Sequence, residues 1–254
     1  FSTTTSTAVQ VAVVAPEQLN LVAAGSLWSY LDTGLFPGNG WIEAGFDDST
    51  WSRGPAQLGY GDGDEATVVS YGGVAGNKHI TTWFRRTFAV ANAEAWLGLR
   101  LAVLRDDGVV VYLNGTEIFR DNLPADVPIA ANTLALQAVE DNSYLQTTVD
   151  PALLLEGINQ LAAEIHQVSP DSSDISFDLQ LDGTRMSAPP TPWLQVQRLG
   201  PDLVLYWPNG LTEYVLESTL QLAPANWTPV AGVDGNQVML DPIGQTRFYR
   251  LRGH

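Results

Sequence analysis

The chain contains no cysteine, which removes disulfides, thiolate nucleophiles and zinc-thiolate centres from consideration. Basic residues are scarce. Twelve Lys and Arg against 28 Asp and Glu leave a formal charge of -16, so nucleic acid, whose phosphates need clustered cations, is excluded as a partner. Apolar runs such as Val11 to Ala15 fall far short of the ~20 residues that carry a helix through a bilayer, and no membrane insertion is expected. The three histidines, His79, His166 and His254, stand apart in sequence, which speaks against a three-histidine metal centre. Neither a Gly-x-Ser-x-Gly elbow nor a Gly-Lys-[Ser/Thr] phosphate loop occurs. No motif pairs two carboxylates for glycosidase chemistry.

What is present is length, glycine, proline and aromatic residues. At 254 residues the chain can bury a sizeable core without staples, as one large domain or two smaller ones. Helical periodicity is rare and alternation is common: Trp83 to Phe88, Leu97 to Leu104, Val109 to Leu113, Ile118-Phe119, Asn159 to Val168 and Ile175 to Leu181 read as strands. The fold class is therefore all-β. Asn114-Gly115 between Val109–Leu113 and Thr116–Arg120 supplies the positive φ pair of a type I′ hairpin. The Asp106-Asp107-Gly108 turn is expected to use a carboxylate on backbone amides two residues on. Pro151 to Leu155 before Gly157 reads as one helical turn.

Residues 187–192, Ser-Ala-Pro-Pro-Thr-Pro, form a stiff Pro-rich linker. Regularly spaced short strands follow it: Trp193 to Leu199, Leu203 to Trp207, Tyr214 to Ser218, Gln237 to Leu240 and Arg247 to Leu251. They describe a small sandwich over 193–254. The main domain spans 20–186, and 1–19 is an N-terminal extension or edge strand, because Val9, Val11 and Val13 alternate with Gln10 and Ala12. The chain opens at Phe1 without methionine, as in a processed mature chain or a cut piece. Low lysine content, acidity and the Ser/Thr-rich start Ser2 to Thr7 suit an extracellular, secreted or cell-surface setting.

Several motifs recur in a fixed order: Trp28-Ser29-Tyr30-Leu31-Asp32-Thr33-Gly34, Trp41, Gly45-Phe46-Asp47-Asp48-Ser49-Thr50-Trp51, Gly59-Tyr60-Gly61-Asp62-Gly63-Asp64, Thr82 to Phe88, Asp106-Asp107-Gly108 and Tyr112-Leu113-Asn114-Gly115. In this order they resemble the galactose-binding-like β-jelly-roll modules, including the sugar-binding domain that precedes the catalytic barrel of β-galactosidase and β-glucuronidase type glycosidases. Glu164 to Gln167 and Ser172 to Leu179 are similar to the closing strands of such modules in large secreted bacterial proteins. The resemblance covers about residues 20 to 183. It implies a jelly-roll sandwich that binds sugars, binds proteins or spaces domains. Tyr206-Trp207, Tyr214 to Ser218, Asn226-Trp227 and Phe248 to Arg252 resemble a short fibronectin type III-like module, so the expected architecture is a jelly-roll β-sandwich followed by a small fibronectin III-like β-sandwich.

Sugars bind by stacking their C–H faces on aromatic rings flanked by a few hydrogen-bonding groups. Trp41, Tyr60, Tyr71 and Trp83 surround the Gly-rich stretch 59–79, where Asn77, Lys78 and His79 add donors. Trp28, Trp51 and Phe84 belong to the core, and for any single tryptophan here the core competes with the ligand platform. Arg85 and Arg86 fall on opposite faces of one strand. In one reading Arg86 pairs with a carboxylate, Asp48 or Asp107. In the other, Arg85 and Trp83 form a concave sugar-binding face, with Arg105 as a second donor. Asp62, Asp64 and Glu65 offer the oxygen set of a structural calcium site, with Asp174 and Asp178 as further candidates, and the competing reading is a solvated acidic turn. His166 in Glu164-Ile165-His166-Gln167 faintly matches a polysaccharide-lyase strand, although the arginine and tyrosine strands that should accompany it are missing.

Together these readings point to a non-catalytic carbohydrate-binding module, not an enzyme, whose partner is a polysaccharide or surface glycan. Neutral glucans, xylans and mannans suit the negative field better than anionic glycans. Two alternatives are a cell-surface or filament subunit that self-associates by exchanging its N-terminal strand, and a jelly-roll lyase or hydrolase that depends on His166.

Overall fold

The computed structural model describes residues 16–139, 143–186, 192–240 and 246–253; the alternating segment Thr7 to Ala15 lies outside them. The chain is all-β. Twelve strands build the first sandwich: β1 (Pro16–Val22), β2 (Leu27–Leu31), β3 (Ser52–Pro55), β4 (Leu58–Tyr60), β5 (Thr67–Val68), β6 (Thr81–Val90), β7 (Trp96–Asp106), β8 (Gly108–Leu113), β9 (Thr116–Asp121), β10 (Leu145–Val149), β11 (Gly157–His166) and β12 (Ile175–Met186). One sheet runs β10-β7-β12-β4-β5, with β1 also paired to β12, and the facing sheet runs β3-β2-β6-β11-β8-β9. All of these pairings are antiparallel except β4 with β5. Six further strands follow: β13 (Gln195–Leu199), β14 (Asp202–Tyr206), β15 (Tyr214–Thr219), β16 (Thr228–Pro229), β17 (Gln237–Leu240) and β18 (Phe248–Gly253). They form two three-stranded sheets, β13-β14-β17 and β16-β15-β18.

Alternation explains the first core. Phe84 and Phe88 of β6, Leu161, Ala163 and Ile165 of β11, and Val109 and Val111 of β8 point the same way and are buried against Leu101, Val103, Phe177, Leu179 and Leu181 of the other sheet. Phe177 is the hub: Phe84 stacks on it at 4.3 Å between centroids, and Trp28 meets it edge-on at 5.0 Å. The β8–β9 hairpin turns at Asn114 (φ 50) and Gly115 (φ 82), the left-handed pair expected from Asn-Gly. Pro151–Leu153 is a single 3-10 turn whose Asp150 carboxylate accepts from the Ala152 amide at 2.9 Å.

The two sandwiches are joined by specific contacts as well as by the chain. Asn209 bonds the Ala91 amide and the Ala89 carbonyl, each at 3.1 Å, and Gln237 Nε2 donates to the Thr87 carbonyl at 2.8 Å. Ala89 and Ile158 pack on Val204 and Tyr206. Arg86, whose strand position belongs to the core face, carries its guanidinium out of the sandwich end to Asp234 at 2.6 Å and to the Leu27 carbonyl at 2.6 Å. Its partner is thus neither Asp48 nor Asp107. Asp48 pairs with Arg85. Asp107 accepts from the amides of Val139 (2.9 Å) and Val168 (2.8 Å), so it ties distant loops together and does not close its own turn.

Candidate functional site

The aromatic and basic residues separate into an open group at a loop end of the first sandwich and a sealed group on a sheet face. The open group begins where β4 ends. Tyr60 is buried, its hydroxyl accepts from Gln167 Nε2 at 2.7 Å, and the same amide nitrogen donates to the His79 carbonyl at 2.6 Å. Burial, reinforced by the negative charges of Asp174, Asp106 and Asp107, pushes the Tyr60 phenol well above its ordinary range, so it stays protonated. Half-buried Tyr71 leans on it at 5.3 Å between centroids. The chain's only lysine, Lys78, lies over both rings at 5.2 and 5.5 Å, while its ammonium donates to the carbonyls of Ser172 and Ser173.

Backbone geometry fixes the same loops. His79 Nδ1 is 2.8 Å from the Asp32 carbonyl, and its amide donates to the Tyr71 carbonyl at 3.1 Å. The imidazole is wedged between Gly34 (φ +72) and Gly72 (φ +94), where an added Cβ would come within 2.5 Å of the ring. Both positions need glycine, for the left-handed backbone and for the close approach. Asp32 Oδ2 accepts from the Ser70 amide at 2.6 Å. Asn77 is exposed beside this group. The result is a braced tyrosine ring with an amide, a cation and an imidazole beside it, an arrangement that can stack on and hydrogen-bond a polyhydroxylated ligand.

The loop that follows β4 carries the acidic trio. One ligand oxygen from each of Asp62, Asp64 and Glu65 lies within 4.8 Å of the others. The amides of Asp62 and Gly63 each donate to a Glu65 oxygen at 3.0 Å, which orients that carboxylate toward the turn. Three carboxylates on a short loop match the hard-oxygen preference of calcium, so the donor set fits the ion. Asp174 packs against Gly61 at the foot of the loop. Asp178 does not join this group. It is buried, and it accepts from the Gly25 amide at 3.0 Å, its own neighbour Leu179 at 2.7 Å and the Tyr144 hydroxyl at 2.7 Å. Burial nevertheless leaves its pKa raised.

The sealed group occupies the outer face of the β6–β11–β8 sheet. Trp83 packs with Trp41, Trp51 and Ala162 under segment 41–51, and Trp41 meets Tyr112 edge-on at 5.7 Å. Arg85, only 2% exposed, donates to Asp48 Oδ2 (3.1 Å), Gln160 Oε1 (2.8 Å) and the carbonyls of Trp41 and Glu43, with Phe46 at 5.0 Å from its guanidinium carbon. Desolvation lowers its pKa and the Asp48 charge opposes that shift. The expected concave sugar-binding face of Trp83 and Arg85 is therefore closed: the tryptophan has no exposed ring and the arginine has no free direction. Trp41 is likewise interior. Arg105 stands apart and pairs with Asp121 through Nε at 2.9 Å. Further along the sealed face, Tyr112 donates to Glu164 Oε1 at 2.8 Å and Glu164 Oε2 lies 3.3 Å from Nε2 of the fully buried His166. His166 Nδ1 faces the Thr133 carbonyl at 2.8 Å and Thr81 Oγ1 at 3.0 Å. A substrate cannot reach this imidazole without removing the segment above it.

Residues that sequence reasoning passed over are the braces: Asp32, Gly34, Ser70, Gly72 and Gln167. The one signal available for them is glycine density around an aromatic residue, since their contacts are long-range.

No family model and no curated protein matches the chain. Solved structures similar to it include a β-glucuronidase from an uncultured Clostridium sp. at 14% identity and a TM-score of 0.42, covering 96% of this chain and 44% of that one. The Bacteroides uniformis β-glucuronidase is similar at 10% identity and 0.43, covering 94% and 28%, and the Ruminococcus gnavus β-glucuronidase at 11% and 0.40, covering 96% and 46%. The chain spans less than half the length of each of these.

Proposed function

We propose that the chain is a non-catalytic carbohydrate-binding module of a secreted multimodular bacterial protein, built as a galactose-binding-like jelly roll followed by a fibronectin III-like sandwich. The observation that carries this reading is the loop end at Tyr71: a half-exposed aromatic ring packed on Tyr60, with Lys78 over it, His79 bonded to its carbonyl and the exposed Asn77 next in the chain to Lys78. A rigid ring loses little entropy on stacking, which favours binding. The negative charge of the whole chain directs the reading toward neutral glucans, xylans or mannans. The acidic trio serves as a structural calcium site that stiffens the neighbouring loop.

Affinity electrophoresis through gels containing glucan, xylan, mannan or alginate, with calcium and with chelator, tests the reading. Retention by a neutral glycan that is lost in Tyr71→Ala is the expected result, with no release of reducing or unsaturated ends from the retained glycan. Free migration in every gel overturns it.

A further inference from the structure

The outer face of the sheet that holds β1, β12, β7 and β10 carries side chains in rows that cross the strands. Pairing sets Gln18 of β1 beside Thr184 of β12 and Thr184 beside Gly98 of β7, and the next row runs Asp182, Arg100, Thr148. Leu99 and Leu101 belong to the core, so Gly98 and Arg100 face outward by alternation. At Gly98 the row lacks a side chain, and the gap is an open dent of about 420 Å³, within the ~300–1,000 Å³ range of small-ligand sites.

Gly98 differs from the other glycines inside strands. A Cβ added at Gly54, Gly59 or Gly183 would run into Thr67, Ile175 or Trp96, so packing requires glycine there. At Gly98 nothing lies within 4 Å of the added Cβ, and φ is outside the left-handed region. Neither packing nor backbone conformation calls for it. Glycine weakens a strand, and one that the fold does not need marks a place where a ligand or another backbone comes close. Beside it the register slips: Thr184 faces Gly98 but Arg185 faces Trp96, which leaves Leu97 as the extra residue of a bulge, 56% exposed. Bulges re-aim side chains beside binding sites. The polar groups around the dent are reachable. Gln18 and Thr148 are exposed and Thr184 is half-buried, and none of the three side chains has a hydrogen-bond partner among the described residues. The only charges lining the dent, Arg100 and Asp182, pair with each other at 2.6 Å.

We propose that this dent is a second ligand site, which takes one ring of a neutral saccharide. The bare backbone at Gly98 lets a ring lie flat on the sheet, and Leu97 supplies an apolar contact for its C–H groups. The Gln18 amide and the Thr148 and Thr184 hydroxyls can each donate and accept, as saccharide hydroxyls require. The internal pairing of Arg100 with Asp182 leaves the dent without net charge, which favours a neutral ligand over an ion. The site is remote from Tyr71: β4 pairs with β12 at Ile175, and from there to Thr184 is about 30 Å of strand. It goes beyond the Tyr71 reading and does not depend on it.

Two-dimensional ¹H–¹⁵N spectra of the full chain, recorded during titration with the methyl glycosides of D-glucose, D-galactose, D-mannose and D-xylose, test the proposal. At least one glycoside is expected to shift the Gly98 and Thr184 amides and the Gln18 side-chain amide along one saturating curve. Gly98→Val places a side chain in the open gap of a regular strand, so its thermal midpoint should equal or exceed that of the wild type while affinity falls at least about tenfold. Thr184→Val keeps the shape and removes the hydroxyl, and should weaken binding roughly fivefold, the worth of one hydrogen bond. Tyr71→Ala should leave the binding unchanged. Absence of these shifts with every glycoside, or wild-type affinity in a stable Gly98→Val, overturns the proposal. If Gly98→Val loses stability, Thr184→Val decides, and wild-type affinity there overturns it.

Discussion

The group at Tyr71 and the group at Trp83 contain the same kinds of residue, an aromatic pair with a cation beside it, yet one faces solvent and the other is sealed. The difference lies in what covers them. Segment 41–51 folds over Trp83 and delivers Asp48 and the carbonyls of Trp41 and Glu43 to Arg85, which converts an arginine that looked available into the central strut of a second small core. At Tyr71 the neighbouring loops are held through His79, which sits between Gly34 and Gly72 and bonds the Tyr71 carbonyl, and the tyrosine stays half-buried. Aromatic content therefore does not identify a ligand platform by itself. The direction from which the supporting loop arrives decides between core and site.

The contrast can be broken most severely at Trp83. Trp83→Ala is expected to cost about 3–5 kcal/mol in denaturant unfolding, the range for truncating a fully buried tryptophan, and a cost below about 1 kcal/mol would mean that the cover opens freely. Arg85→Leu comes next, at about 3 kcal/mol, because it leaves Asp48 and Gln160 without their buried partner; the partial exposure of Asp48 keeps the figure at the low end. Calcium should act on the open end alone: at saturating concentration it is expected to add about 2 kcal/mol of apparent stability, and Glu65→Gln or Asp64→Asn should abolish the increment. A thermal midpoint that is the same with calcium and with chelator contradicts that site.

A smaller effect comes from pH. The native fold keeps the Tyr60 proton that an unfolded chain releases above about pH 10, so the native state binds more protons there and stability falls as pH rises through that value. The slope contributed by this one group approaches about 1.4 kcal/mol per pH unit, and unfolding compared at about pH 9 and about pH 11 should show a gentler slope in Tyr60→Phe. The smallest effect on stability is expected for Tyr71→Ala, about 1 kcal/mol for a half-buried ring, although it removes glycan retention altogether.

Much of the fold was legible because the information is local. Strands β6 to β9, β11 and β12 alternate strongly, and Asn114-Gly115 specifies its turn through backbone conformation alone. Short strands such as β5, β10 and β16 carry too few residues for a period to register. Of the candidate site, Tyr71, Asn77, His79 and the acidic trio could be selected by type and glycine context, while Tyr60, chosen with them, is a core residue. Trp41, Trp83 and Arg85 were selected by the same criteria and are buried, because nothing in the alternation of β6 tells which outer face another segment will cover. Partner choice was equally hidden. Consecutive arginines point to opposite faces, but Asp48 and Asp234 reach them from a loop and from the other sandwich.

The most direct test of the account is an amide chemical-shift map of the ¹⁵N-labelled full chain, recorded with an oligosaccharide of whichever neutral glycan retains the protein. The account predicts perturbations concentrated at residues 32–36 and 70–79, with Trp41, Trp83 and Arg85 silent. Perturbations centred on Trp83 and Arg85, with the Tyr71 loops unmoved, would contradict it.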